Sequence, residues 1–300
     1  MQHTIDRRRF LSGCAALTAG AALASSPALA IEPIKRNGTP KFKFSLAAYS
    51  YRSLLGGKDP QLTMSDFVND CAEFGLEGTE LTSYYFPADV KPAYLRDLKQ
   101  QCFRLGLDVS GTAVGNDFGK ADEDQRREQI ESVKKWVDNA AILGAPVIRI
   151  FAGHVPKDVA PETAHKWMVE GMQECCDYAG KHGVFLALEN HGGPTATPDG
   201  LLSLVHAVKS PWFGVNLDSG NFHTEDPYAD LARIAPYAVN AQIKVVVDRA
   251  GAKEPADYAR MAEILRAADY RGYIVLEYEE QGDVRSECKK HLQSLREAFA

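Results

Sequence analysis

Val184-Phe185-Leu186-Ala187-Leu188-Glu189-Asn190-His191 is an apolar run that ends abruptly in an acid, an amide and an imidazole. It follows Gly183, which closes a long periodic stretch from Pro161 to His182. A short apolar run after a helix-ending glycine reads as a strand buried on both faces, the habit of parallel sheets. Side chains alternate along a strand. With Leu186 and Leu188 facing outward, Glu189 and His191 face inward.

The same unit recurs along the chain. Strand-type runs begin near Phe44 (FSLAAYS), Leu76 (LEGTEL), Leu107 (LDVSGTAV), Pro146 (PVIRIF), Val184 (VFLALEN), Phe213 (FGVNLD), Val239 (VNAQIKVVV) and Gly272 (GYIVLEY). Their spacing is roughly 30 to 40 residues, the size of one strand–helix unit. Amphipathic stretches lie between them, among them one around Phe67-Val68 and one over Ser132–Leu143. Four of these stretches end in glycine just before the next strand, at Gly75, Gly106, Gly144 and Gly183. Eight such units in about 260 residues predict an α/β fold, a single (β/α)8 TIM barrel. The rival is a doubly wound sheet, but no GxGxxG follows the first strand, which runs into Tyr49-Ser50-Tyr51. The barrel is expected over residues 43–300, after a linker at 31–42.

Residues 1–30 have a different character. Arg7-Arg8-Arg9-Phe10-Leu11 leads into an Ala-rich, uncharged run and then Ala28-Leu29-Ala30. A positive head, an apolar middle and a small-residue cleavage site make an export signal. The arginine pair followed by Phe-Leu resembles a bacterial twin-arginine signal. That resemblance implies the twin-arginine translocation machinery as a partner, passage of the folded protein, and a periplasmic location. The apolar run is short and Ala-rich against the about 20 strongly apolar residues of a spanning helix, so cleavage and no lasting membrane association are expected.

Composition sets the remaining bounds. Of 300 residues, 45% are hydrophobic and 25% charged, an ordinary globular balance. The net charge of −6 becomes −8 once residues 1–30, with three arginines and one aspartate, are gone. Such a chain has no large basic footprint for nucleic acid or anionic membrane. Five cysteines remain, none in CxxC spacing, and an odd number cannot all pair within the chain. Buried thiols are expected. A homo-oligomer is compatible with all of this.

In a TIM barrel the chemistry sits at the C-terminal ends of the strands. Alternation places Asn216 and Asp218 inward on strand 6, Asn240, Gln242 and Lys244 on strand 7, and Glu277 at the top of strand 8. Glu189, Asp218, Gln242 and Glu277 are therefore expected to converge. Three carboxylates brought together repel unless a cation or added protons intervene. One divalent metal ion is the simplest answer, and an all-oxygen set suits Mn²⁺ or Mg²⁺ better than Zn²⁺. The other solution pairs the acids separately with Lys244 or Arg149.

The motifs Leu188-Glu189-Asn190-His191, Leu217-Asp218-Ser219-Gly220-Asn221, Gln242-Ile243-Lys244 and Leu276-Glu277-Tyr278 resemble the sugar isomerase/epimerase family with the xylose-isomerase-like barrel. The resemblance covers roughly residues 43–298. It implies one divalent ion held by Glu, Asp, His and Glu on strands 5 to 8, with the two glutamates doubling as an acid–base pair. Carried over, the ligands are Glu189, Asp218 and Glu277, with Gln242 at the histidine position as a neutral carbonyl donor. Glu189 and Glu277 become the catalytic residues.

A metal chelated by a substrate carbonyl and its neighbouring hydroxyl acidifies the C–H bond between them, and a glutamate removes that proton. Return of the proton from the enediolate gives an epimer or an isomer; loss of a β-substituent gives a lyase. Substrate contacts are expected from His191, His154, Asn221, Glu80 and Arg149, and from Lys244, which either stabilises an oxyanion or neutralises the carboxylates. Tyr49, Tyr84, Tyr85 and Phe86 offer stacking faces for a sugar. The expected ligand is a small carbohydrate without phosphate, since no Gly-rich phosphate cradle occurs. The expected function is an exported metal-dependent isomerase or epimerase of a sugar or keto-sugar. The alternatives are a lyase or hydratase on 3-keto-glycosides and a non-catalytic sugar-binding protein.

Overall fold

The computed structural model describes residues 31–300, so the export signal expected at 1–30 lies outside the described residues. Each expected strand forms where its apolar run lies. They are β1 (Lys41–Ala47), β2 (Gly78–Thr82), β3 (Asp108–Ala113), β4 (Val147–Ile150), β5 (Phe185–Glu189), β6 (Phe213–Asp218) and β7 (Ala238–Lys244). A hairpin of β8 (Val246–Arg249) and β9 (Ala252–Pro255) comes next, and β10 (Arg271–Glu277) is the last barrel strand. The barrel is closed in the order β1-β10-β7-β6-β5-β4-β3-β2. Every neighbouring pair in it is parallel, and β1 pairs with β10 at Leu46↔Leu276 to seal the ring.

Helices run between the strands: α1 (Met64–Glu73), α2 (Pro92–Arg104), α3 (Glu123–Leu143), α4 (Pro161–Lys181), α5 (Pro198–Ala207), α6 (Pro227–Ile234), α7 (Tyr258–Ala267) and α8 (Val284–Phe299). Their ends follow local chemistry. Thr63 and Asp66 form a reciprocal capping box on α1. The side chain of Asp122 accepts from the Gln125 N–H at the start of α3. That cap is why α3 begins nine residues before the expected Ser132. The glycine after α3, Gly144, takes φ +81°, a conformation that a side chain would strain.

The main core lies between barrel and helices. Leu186, Leu188, Val215, Leu217, Ala241, Ile243, Ile274 and Leu276 all point into it and are fully buried. The inside of the barrel is by contrast polar, holding Ser45, Glu80, Ser110, Asn216, Asn240 and Gln242. This division is the period-2 alternation of the strands, carried around a closed sheet.

Two expectations need correction. The seventh run was read as one strand through Val247, yet β7 ends at Lys244 and the chain turns into the β8–β9 hairpin. Its two-residue turn is Ala250-Gly251, with φ +50° and +92°, the left-handed pair that matches strand twist. The linker at 31–42 is not loose either. Ile34 N–H donates to the Pro236 carbonyl at 2.9 Å, the Arg36 guanidinium donates to the Ala238 carbonyl, and β1 already begins at Lys41. No described helix is long and apolar enough to cross a membrane.

Because Leu188 is fully buried beside the strand end that carries Glu189, Leu188→Ala should cost about 2–5 kcal/mol in urea unfolding. Asp122→Ala, which removes only a helix cap, should cost about 1 kcal/mol. Equal losses would mean that the strand–helix interface is not the main source of stability.

Candidate active site

Sheet register sets the site. Glu189 lies opposite Asn216, Asp218 opposite Gln242, and Lys244 opposite Glu277. The ends of β5, β6, β7 and β10 therefore deliver their inward side chains to the same end of the barrel. Asn190 ties two of these ends together: its amide nitrogen donates to the Asp218 carbonyl, and its oxygen accepts from the Asp218 N–H, each at 2.9 Å. An asparagine that sequence alone leaves without a role thus fixes the height of Asp218.

The Lys244 ammonium sits among three carboxylates. Nζ is 2.5 Å from Glu277 Oε2, 2.9 Å from Glu279 Oε1 and 3.4 Å from Asp218 Oδ2. The lysine is 7% exposed. Burial opposes its charge, but Asp218, Glu277 and Glu279 outweigh that and hold its pKa well above the ordinary lysine value. Burial would likewise raise Glu277, yet the ammonium, assisted by Arg149, holds that carboxyl below the usual range. Glu279 is the residue that sequence reasoning missed. It stands two beyond Glu277, past the end of β10, where strand alternation no longer places a side chain.

A second cation serves Glu189. Arg149, from β4, places Nε 2.9 Å from Glu189 Oε2, and its Nη1 donates to the Tyr84 hydroxyl and the Val114 carbonyl, both at 3.2 Å. The Asn221 amide donates to Glu189 Oε1 at 3.0 Å. Burial, with Asp218 and Glu277 close by, still pushes Glu189 well above the usual carboxylate range, against the pull of Arg149. Asp218 is raised to about 7, first by burial and then by Glu277, against Lys244. Glu189 and Glu277 thus carry opposite protonation tendencies in one site, the arrangement that separates an acid from a base. Among the described residues, Arg149 Nε and Asp218 Oδ2 are fully buried with no hydrogen-bond partner, so one donor and one acceptor are held there by charge alone.

Below this level lies a closed ring of four side chains. Gln242 Nε2 donates to Glu80 Oε1 at 2.6 Å, and Gln242 Oε1 accepts from Asn216 Nδ2 at 2.5 Å. Asn240 Nδ2 donates to Asn216 Oδ1 at 2.8 Å and to Glu80 Oε2 at 2.9 Å. Burial, then the charge of Glu277, raises Glu80 to about 7. Glu80 is therefore part of the barrel interior, where a substrate contact had been expected.

The mouth opens into a cavity of about 220 Å³ lined by Asn221, His223, Lys244, Asp248, Glu277 and Glu279 among others. The hairpin supplies Asp248, whose carboxylate is 3.8 Å from His223 Nδ1. A smaller pocket of about 110 Å³ holds Asn116, Phe151, His154 and His191. His191 is exposed and stacks on Phe151 at 4.5 Å; His154 is exposed and held by Asp117 at 3.2 Å. Tyr49 and Tyr84 meet edge to face, with Arg149 under Tyr84. A larger cavity of about 640 Å³ opens at the opposite end, among Ile31, Ile34, Phe185, Phe213 and Tyr273, away from every one of the grouped acids.

A divalent ion on Glu189, Asp218, Gln242 and Glu277 does not fit this donor set. Both ends of the Gln242 amide are committed to the ring, and the Lys244 ammonium lies against Asp218 and Glu277. Among the described residues, no group of three or more His, Cys, Asp or Glu side chains is arranged to hold a metal ion. The three carboxyls do meet in one mouth, each against a built-in cation, while Gln242 turns into the ring below them.

The family model described as "Xylose isomerase-like TIM barrel" matches residues 68–298. A Xenopus laevis protein provisionally named hydroxypyruvate isomerase is 25% identical over 202 residues, 60% of this chain and 73% of that one. Fructoselysine 3-epimerase of Shigella flexneri is 26% identical over 137 residues, 43% of this chain, which here spans half the length of that relative. The crystal structure of D-psicose 3-epimerase with D-tagatose from Clostridium cellulolyticum H10 aligns with a TM-score of 0.72 at 14% identity, over 86% of this chain and 99% of that one. At that identity the likeness is one of fold.

The ring makes its own prediction. Asn240→Leu strands Glu80 Oε2 and Asn216 Oδ1 in a buried interior, and each orphaned acceptor should cost roughly 1–3 kcal/mol. Chemical denaturation measures the loss. A variant as stable as the parent would show that the ring contributes nothing to holding the barrel.

Proposed function

Since the chain belongs to the xylose isomerase-like TIM barrel family, we propose that it isomerises or epimerises an unphosphorylated sugar or keto-sugar. The reaction moves a proton on the carbon beside a carbonyl. One observation carries the reading: Glu189 and Glu277 end their strands in the same mouth, each paired with its own fixed cation, Arg149 and Lys244.

The chemistry follows from that pairing. A carboxylate takes the proton from carbon, the C–H electrons form the C=C bond, and the carbonyl electrons move to oxygen. The resulting oxyanion needs positive charge close by, in a site largely closed to water. Lys244 and Arg149 are the positive charges placed to supply it. Glu277, whose carboxyl is drawn below the usual range by Lys244, is suited to accept a proton, and Glu189, whose carboxyl is pushed upward by burial, to donate one. Return to the opposite face gives the epimer, and return to the neighbouring carbon the isomer. Asn221 and His223 stand where sugar hydroxyls would reach them, and Tyr49 and Tyr84 offer ring faces beside the mouth.

The same proposal includes export. Residues 1–30 carry the twin-arginine pattern. The five described cysteines, Cys71, Cys102, Cys175, Cys176 and Cys288, are all buried and unpaired. Thiols sealed in the core suit a protein that folds in a reducing compartment and crosses the membrane already folded. On this reading the partner is the twin-arginine machinery, the location is the periplasm, and cleavage leaves no lasting membrane attachment.

Two experiments test the proposal. Ketoses, aldoses and 3-keto-glycosides incubated with the protein in D₂O should show exchange of a carbon-bound hydrogen by NMR for at least one sugar. Glu189→Gln and Glu277→Gln should each slow that exchange by about 100-fold or more, the usual loss when a positioned acid or base is removed. Sugar binding without exchange across the panel would point to a binding protein, and a released β-substituent to a lyase. For export, changing Arg7 and Arg8 both to Lys should leave the precursor in the cytoplasm; continued secretion would mean that another route reads this segment.

A further inference from the structure

The geometry points to Lys244 as the site's own electrophile: its ammonium occupies the place of a divalent cation, and the enzyme works without a metal. This inference rests on the proton-transfer reading above and specifies what polarises the substrate carbonyl. Four independent features support it.

The first is position. Nζ touches carboxylates from three places, the end of β6 and two residues around the end of β10. These include two of the oxygens that a dication would have to claim at about 2.1 Å. An ion there would sit within a few ångströms of a buried ammonium, and would have to displace it from Asp218 and Glu277 to bind them. The second is the missing ligand. Residue 242, which would complete the set, spends its oxygen on Asn216 and its nitrogen on Glu80.

The third is that the lysine is built in. Its backbone N–H donates to the Ser219 hydroxyl at 2.8 Å, while the Ser219 N–H donates back to the Gln242 carbonyl at 3.0 Å. Gly220 makes room for its stem, since a Cβ there would come within 2.6 Å of Lys244 Cγ and 3.1 Å of the Val246 carbonyl. Asp218-Ser219-Gly220 therefore both supplies a carboxylate and seats the ammonium that faces it. The fourth is access. Lys244 and Glu277 line the same cavity, so a carbonyl oxygen entering it meets an N⁺–H donor and a carboxylate together. The ammonium has three donors and spends its shortest contacts on Glu277 and Glu279. A developing oxyanion can replace one of them.

The test uses the full chain, first without substrate. Isothermal titration with Mn²⁺ alone should give no saturable binding up to about 1 mM, whereas a working oxygen-ligand site should saturate at micromolar concentrations. One equivalent of Mn²⁺ bound at micromolar concentration overturns the inference. The double variant Gln242→His, Lys244→Met restores a fourth ligand and removes the ammonium, and should bind Mn²⁺ at least about 100-fold more tightly. If it folds and binds no better, these two residues are not what excludes the ion, and the inference fails. If it does not fold, the titration of the unaltered chain decides.

Where a sugar exchanges its hydrogen, EDTA should leave the rate within about twofold. A loss of about tenfold or more that Mn²⁺ or Mg²⁺ restores would overturn the inference. Gly220→Ala should lower that exchange about tenfold or more by shifting the ammonium, with folding preserved by circular dichroism. A rate at the parental level would mean that the position of the ammonium is immaterial, against the inference. Absence of exchange with every sugar, together with the expected Mn²⁺ results, supports the ammonium as the site's cation and removes the proton-transfer reading instead.

Discussion

Burying several carboxyl groups in one small volume is the constraint on which this molecule depends. Glu80, Glu189, Asp218 and Glu277 are all at most 4% exposed, and they share the interior or the mouth of one barrel. Unpaired, each would cost several kcal/mol, and together they would repel. The fold answers with two cations, a ring of amides and retained protons. Lys244 serves Asp218 and Glu277, Arg149 serves Glu189, and Gln242 with Asn240 serves Glu80. Removing either cation would leave buried charge without compensation.

On the proposed reading, this solution also creates the reactivity. Charges that are merely balanced would leave an inert core. Here the balance is uneven: Glu277 is drawn below the usual range by a direct ammonium contact, while Glu189 is pushed upward by burial despite Arg149. Two carboxyls of one chemical type are thereby shifted in opposite directions, which the proposed reaction would use for different tasks. Arg149 Nε and Asp218 Oδ2 make no hydrogen bond and are held by their ion pairs alone, to Glu189 and Lys244.

The barrel explains how so few residues suffice. Parallel strands all end at the same face, so an inward side chain at each end reaches a common point without any long loop. The rim then adds identity: the β8–β9 hairpin with Asp248 beside His223, the tyrosines after β1 and β2, and His191 after β5. These surround the mouth, and Tyr84 reaches in to accept from the Arg149 guanidinium. The relatives that the chain resembles carry different names, a provisionally named hydroxypyruvate isomerase and a fructoselysine 3-epimerase.

Local sequence by itself determined the architecture. Eight apolar runs alternating with amphipathic stretches, four of them closed by glycine, encode eight strand–helix units, because strand burial and helix termination are both short-range effects. Alternation also settled which residues point inward: Glu189, Asp218, Gln242, Lys244 and Glu277 all do. What it could not reach is which inward groups pair. Whether Gln242 turns up to the mouth or into the ring depends on Glu80 and Asn216, which lie 162 and 26 residues away. Whether Lys244 or an external ion stands among the carboxylates depends on Gly220 leaving room for its stem and on Glu279 closing the far side. Those are distances between strand ends, and only closure of the barrel fixes them.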